Sequence, residues 1–144
     1  MTDTENASIG ALLDRYLIGL DEDRLDDDWI RSLFTPDACV EFPHKTHEGI
    51  DGMADFHRSA LAAFAATQHL GSSVLVERTG DRATLKANLI TTHLHKPDNV
   101  PTVGPMFTSG TAAVGEARLT EAGWRLQRLT IRSIWRTGNP PPRG

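Results

Sequence analysis

A change of period part-way along the chain is the strongest constraint on its fold. Up to about Ala66 the apolar residues recur at helical spacing, and from His69 onward they alternate at the period of a strand. Long alternating segments joined by tight turns pair antiparallel, and the helices that precede them can cover one face of the resulting sheet. The sequence therefore predicts an α+β fold in which three N-terminal helices cover an antiparallel sheet.

The helical part divides cleanly. Ile9, Leu12, Leu13, Tyr16, Leu17 and Leu20 mark a first helix, with Ser8 as its N-cap. The acidic cluster Asp21 to Asp28 leads into a short second helix through Trp29, Ile30, Leu33 and Phe34, its carboxylates placed at the positive end of the helix dipole. Thr35-Pro36-Asp37 ends that helix, and Ala38 to Phe42 reads as a strand closed by Pro43. Gly49-Ile50-Asp51-Gly52 then introduces a third helix from Met53 to about Ala66, with Phe56, Leu61 and Phe64 as its packing stripe.

In the strand part, His69 to Glu77 and Arg82 to His95 flank a turn at Thr79-Gly80-Asp81, and Phe107 to Leu119 and Trp124 to Trp135 flank Thr120 to Gly123. Between the hairpins, Lys96 to Pro105 carries three prolines and a glycine and reads as a loop at the mouth of a pocket. The tail from Gly138 to Gly144 reads as loose. We expect a single domain over residues 1–144, with an ordered core over about 8–137.

With 144 residues, 39% of them hydrophobic, the chain has room for a core and an internal pocket. A net charge of −4 without a lysine or arginine run argues against nucleic acid and against an anionic membrane surface as partners. Cys39 is the only cysteine, so no internal disulfide forms, and no stretch approaches the roughly 20 apolar residues of a membrane span. The polar start does not read as a signal peptide, which makes a cytoplasmic location the expectation.

Two histidines carry the candidate chemistry. His69 opens the strand region and His93 lies near the end of the following strand; two imidazoles facing one apolar pocket can move protons at neutral pH without a cofactor. Alternation puts Ala87, Leu89, Thr91, His93 and His95 on one face, with His95 at the rim. Tyr16, Phe42, Phe56 and Phe64 are candidate pocket residues from the first part of the chain, and Met106, Phe107, Leu129, Ile131 and Trp135 from the second. An apolar wall with a few convergent polar groups suits a small hydrophobic ligand.

Leu20-Asp21-Glu22, Trp29 with Leu33-Phe34-Thr35-Pro36-Asp37-Ala38, Gly49-Ile50-Asp51-Gly52 and Thr67-Gln68-His69-Leu70-Gly71 together resemble the SnoaL-like branch of the nuclear-transport-factor-2-like superfamily. The resemblance runs from about Ile9 to Trp135. It implies a cone-shaped, strongly curved sheet with a deep pocket at one end, often in a homodimer, and reactions that need no metal or cofactor. Within that branch scytalone dehydratase uses an aspartate and two histidines, which Asp21, His69 and His93 match; two tyrosines and an asparagine of its pocket have no counterpart here, since Leu20 and Phe42 stand at the tyrosine positions. Steroid isomerases place an aspartate where this chain has Phe42, and epoxide hydrolases an Arg-x-Asp pair that Arg82 to His95 lacks.

His93, His95 and His69 could in principle offer three nitrogens to a metal, and His44 and His47 a further pair, but the family resemblance and the exposed setting of the latter two lead us to expect none. No glycine-rich nucleotide motif is present. The reading that results is a dehydratase-type or cyclase-type acid–base enzyme acting on a polyketide-like or terpenoid-like molecule. In it His93 removes the proton, His69 donates to the developing oxyanion or leaving oxygen, and Asp21 orients one of them. The alternatives are a binding protein without chemistry, an isomerase or epoxide-opening enzyme, or a chain whose main product is a dimer surface with Trp124 and Trp135 at the contact.

Overall fold

The computed structural model describes residues 2–142. Helix α1 runs from Thr2 to Asp21, so it begins well before the expected start; Ser8 lies inside it and donates its hydroxyl to the Thr4 carbonyl at 3.1 Å instead of capping. Its apolar stripe, Ile9 to Leu20, is buried as the spacing requires. Helix α2, Asp27–Leu33, is capped by Asp26, whose carboxylate accepts from the Trp29 amide at 2.8 Å. The Trp29 indole crosses α1 at Gly19, where a Cβ would stand 2.1 Å from Nε1. Only glycine lets the two helices meet there.

Strand β1, Phe34–Glu41, β2, Thr46–Glu48, and helix α3, Met53–Leu61, follow. Helix α3 stops before the expected Ala66, and Phe64–Gly71 is strand β3. Helix propensity favours continuing through the alanines, but β3 pairs with a later strand from Phe64 onward, and that pairing wins. Strand β4 is Leu75–Thr79, β5 Arg82–His95, β6 Met106–Thr120 and β7 Gly123–Thr137. The single strand expected over His69 to Glu77 is thus broken: Ser72 leaves the β3 line, and its backbone amide donates to the Asn88 carbonyl at 2.8 Å while its hydroxyl accepts from the Asn88 amide at 2.9 Å.

One curved sheet results, in the order β2-β1-β7-β6-β5-β3, with β4 beside the first part of β5 and β3 beside the second. All its ladders are antiparallel except β1 against β7, which is parallel. A parallel pair needs a long connection, and nearly the whole chain lies between these two strands. The helices cover the inner face, and Trp124, expected at a subunit contact, is buried in this core at 7% exposure.

Lys96 to Pro105 winds into a short 3-10 turn, Pro97–Asn99, and a four-residue helix α4, Val100–Val103, and does not border the inner cavity. The tail does so instead. The Asn139 carbonyl accepts from His95 Nε2 at 2.8 Å and its side-chain amide donates to the Val103 carbonyl at 3.3 Å, which ties the tail down and brings Pro140 and Pro141 to the cavity. The expectation of a loose tail fails for Gly138 to Pro142; Arg143 and Gly144 lie outside the described residues.

Candidate active site

Between α1, α3 and the inner face of the sheet lies a cavity of about 720 Å³. Strand registers explain its wall. Leu89 pairs with Thr111, Thr91 with Ser109 and His93 with Phe107, so alternate residues of β5 and β6 form an inward-facing grid. Helix α1 adds Tyr16, Leu17 and Leu20, and α3 adds His57, Ala60 and Leu61, at one-turn spacing in each case.

Asp21, the last residue of α1, reaches across to β3. Its Oδ1 accepts from His69 Nδ1 at 2.7 Å and from the Thr67 hydroxyl at 2.9 Å, and its Oδ2 accepts from the His69 backbone amide at 2.7 Å. Three donors fix the carboxylate. Because a carboxylate only accepts, Nδ1 of His69 carries the hydrogen, and the ring presents Nε2 as an acceptor on the cavity wall. The His69 side chain is 12% exposed and that of Asp21 21%; Asp21 stands behind the imidazole and opens on a separate groove of about 440 Å³, beside Asp23, Arg58 and Thr67.

His93 lies near the dyad, its ring centroid 6.5 Å from that of His69 and stacked on Phe107 at 4.0 Å. The Phe107 carbonyl accepts from its Nδ1 at 3.3 Å, so its Nε2 is also a lone pair. Burial pushes the His93 pKa down to about 4, helped by the neighbouring His69 and His95 imidazoles and opposed by the Phe107 hydrogen bond and the Asp21 charge. His93 is therefore neutral at pH 7. The expected trio does come together, and its carboxylate pairs with His69.

Sequence reasoning passed over His57. Its Nδ1 donates to the Met53 carbonyl at 2.8 Å, which leaves Nε2 to accept the Tyr16 hydroxyl proton at 2.9 Å. Both residues are 1% exposed on the cavity floor, and burial pushes His57 down to about 4 while it pushes Tyr16 upward. The signal was available, because His57 stands one turn after Met53 and one before Leu61 on the stripe that α3 buries.

Of the other expected lining residues, Tyr16, Phe42, Phe64, Leu89 and Phe107 border the cavity, as does Ile131. Four do not. Phe56 points sideways, stacked on Phe42 at 5.4 Å and tilted on His47 at 5.2 Å. Met106 pairs with Leu94 on the outer face, since consecutive residues of a strand cannot share a face with Phe107. His95 is not at the rim: it is 3% exposed beneath Asn139, and its Nδ1 has no partner. Trp135 is displaced by a bulge. Gly110 pairs with Trp135 and Thr111 with Ser133, so Ile134 has no partner and the alternation shifts by one. Ile131 and Ser133 face inward as expected, but the next inward residue is Arg136, while Trp135 lies outside across Gly110. His44, expected to be remote, borders the cavity opening beside Lys45.

With this geometry in place, comparison with known proteins settles the family. The SnoaL-like domain family model matches residues 3–130. The chain belongs to that family. This SnoaL-like domain also resembles a Kribbella flavida protein at 22% identity and a TM-score of 0.87, over 95% of each chain. A Novosphingobium aromaticivorans protein provisionally named a scytalone dehydratase matches at 18% identity and a TM-score of 0.79, over 99% of this chain and 94% of the other. A type 2 hexachlorocyclohexane dehydrochlorinase, LinA, matches at 16% identity and 0.79, over 96% and 90%. At such identities these likenesses establish a shared fold. No curated protein matches by sequence. No helix among the described residues is long and apolar enough to cross a membrane.

Proposed function

We propose that this SnoaL-like domain is a cofactor-independent proton-transfer enzyme of the dehydratase or cyclase type, acting on a small, largely hydrophobic ring compound of polyketide-like or terpenoid-like character. The single observation that carries the reading is the Asp21–His69 pair, a carboxylate fixed by three hydrogen bonds behind an imidazole that borders an apolar cavity. A base of this kind gains because the carboxylate compensates the charge that appears when Nε2 accepts a proton.

The roles expected for the two histidines are exchanged in this proposal. His69 Nε2 removes a proton from carbon next to a carbonyl, and the C–H electron pair forms a double bond as the neighbouring C–O bond breaks. The proton then passes from the imidazolium to the departing hydroxide, and water leaves. In ring closure the same electron pair attacks a second carbonyl within the substrate, and His69 returns the proton to the new alkoxide. His93, neutral and with its N–H held by Phe107, accepts a hydrogen bond from a substrate hydroxyl and so orients it. Tyr16, whose own proton is committed to His57, offers a second acceptor on the cavity floor. Two structural neighbours named for eliminations, a dehydratase and a dehydrochlorinase, support elimination as a chemistry this fold carries.

The test uses ring-fused β-hydroxyketones in D₂O, followed by NMR for α-proton exchange and loss of water. The proposal expects both with the wild-type chain and neither with His69→Ala; identical behaviour of the two proteins rejects it. One observation favours the second reading, a binder without chemistry: both imidazoles have committed their N–H groups and leave only acceptors on the wall. Ligand binding that survives loss of both histidines, with no conversion, would select that reading.

The outer face of the sheet supports assembly as a homodimer. Leu70, Ile90 and Trp135, on one inter-strand row through Gly110, are 60%, 47% and 47% exposed, and Leu94 and Met106 form a further exposed pair.

A further inference from the structure

We propose that the ligand of this cavity carries an oxyanion, and that Arg136 recognises it. The inference deepens the reading of the cavity as a small-molecule site and rests on it.

The bulge at Ile134 is the first observation. Strict alternation along β7 would turn Trp135 inward; the unpaired residue turns Arg136 inward in its place and puts the indole outside over Gly110. An extra residue interrupts the ladder, and beside a cavity its effect is to re-aim the next side chain. Here it exchanges an apolar ring for a guanidinium.

Charge is the second. Arg128, on the same strand, pairs with Glu41 and Glu116. Among the described residues Arg136 has no carboxylate partner, and neither has Lys45 across the opening, so the ionised side chains on the cavity wall are both cations in a chain of net charge −4. A guanidinium matches the paired oxygens of a carboxylate or similar group, and the Ser109, Thr111 and Ser133 hydroxyls beside it make no side-chain hydrogen bond within the described chain.

Register supplies the third. His69 pairs with Thr91, Thr91 with Ser109 and Ser109 with Arg136, so base and cation stand on one row, three strand spacings apart. Along a flat sheet that is about 14 Å, and curvature and the inward reach of Arg136 shorten it. One or two rings with an oxyanion at the end span this distance and fit a cavity of about 720 Å³. The acidic end sits at the opening and the reacting carbon at His69.

Two fluorescent probes with the same aromatic skeleton test the proposal: anilinonaphthalene sulfonate, an anion, and phenylnaphthylamine, its neutral counterpart. Titrated into the wild-type protein, the anion should bind about tenfold more tightly than the neutral probe, and raising salt should weaken the anion alone. Arg136→Gln should erase the preference with neutral-probe affinity unchanged, Arg136→Lys should keep part of it, and the cavity-filling Thr111→Trp should abolish binding of both. Equal affinities in the wild type, equal weakening of both probes by Arg136→Gln, or a preference that persists in Thr111→Trp would each overturn the inference. Probe binding does not depend on turnover. Loss of the anion preference therefore leaves the proton-transfer reading standing, and a dead His69 assay leaves this one standing.

Discussion

His69 donates its Nδ1 hydrogen to Asp21 Oδ1 at 2.7 Å, a bond that joins the last residue of the first helix to the third strand of the sheet. If this pair is the base, Asp21→Asn should keep the fold and lower turnover by about 100-fold, and His69→Ala by about 100-fold to 10,000-fold. Steady-state kinetics with circular dichroism as the control for folding measures both. Equal activity of Asp21→Asn and wild type would remove the carboxylate from the mechanism.

His57 sets an acid limit on stability. Its pKa falls from 6.5 to about 4 on folding, so between those values the unfolded chain binds the proton more readily than the native one. Stability from this site is complete above pH 6.5, declines as pH falls and is lost once pH passes through about 4, a change of about 3 kcal/mol. Urea titrations across that range should show the slope. His57→Phe should flatten it, while costing about 1–3 kcal/mol at neutral pH because the Tyr16 hydroxyl and the Met53 carbonyl lose their partner.

Alanine in place of a helical glycine is ordinarily stabilising by about 1 kcal/mol. At Gly19 the sign should reverse. The added methyl would stand 2.1 Å from Trp29 Nε1, and Trp29 cannot yield freely, being stacked on Tyr16 at 5.7 Å and set edge-on to His57 at 5.8 Å. Gly19→Ala should destabilise by about 3 kcal/mol and shift tryptophan fluorescence, both measurable in one denaturant titration.

Ile90→Asp places a charge in the middle of the exposed apolar row on the outer sheet face. Should the wild type sediment as a dimer through this face, the variant should sediment as a monomer with its probe binding intact. An unchanged sedimentation coefficient would locate the contact elsewhere.

The fold class was legible because helical and strand periods occupy separate halves of the chain, and the dyad because its members fall at recognisable element ends. Other features lacked a local signature. The alanines after Leu61 carry strong helix propensity, and only pairing with the distant β5 makes Phe64 to Ala66 strand. The parallel contact of β1 with β7 joins the two ends of the sequence, which no short-range pattern encodes. Lining residues were read correctly as long as alternation held, through Leu89, Phe107 and Ile131, and failed one residue past Ile134, where the count changed.

That miscount also shows how readily such a protein could change diet. Removing the codon for Ile134 would restore even alternation, swing the indole in and the guanidinium out, and turn a receptor for acids into one for neutral rings in a single deletion. Lineages sharing this scaffold can thus diverge in ligand polarity by gain or loss of one amino acid, with the proton-handling pair at the other end of the row left untouched.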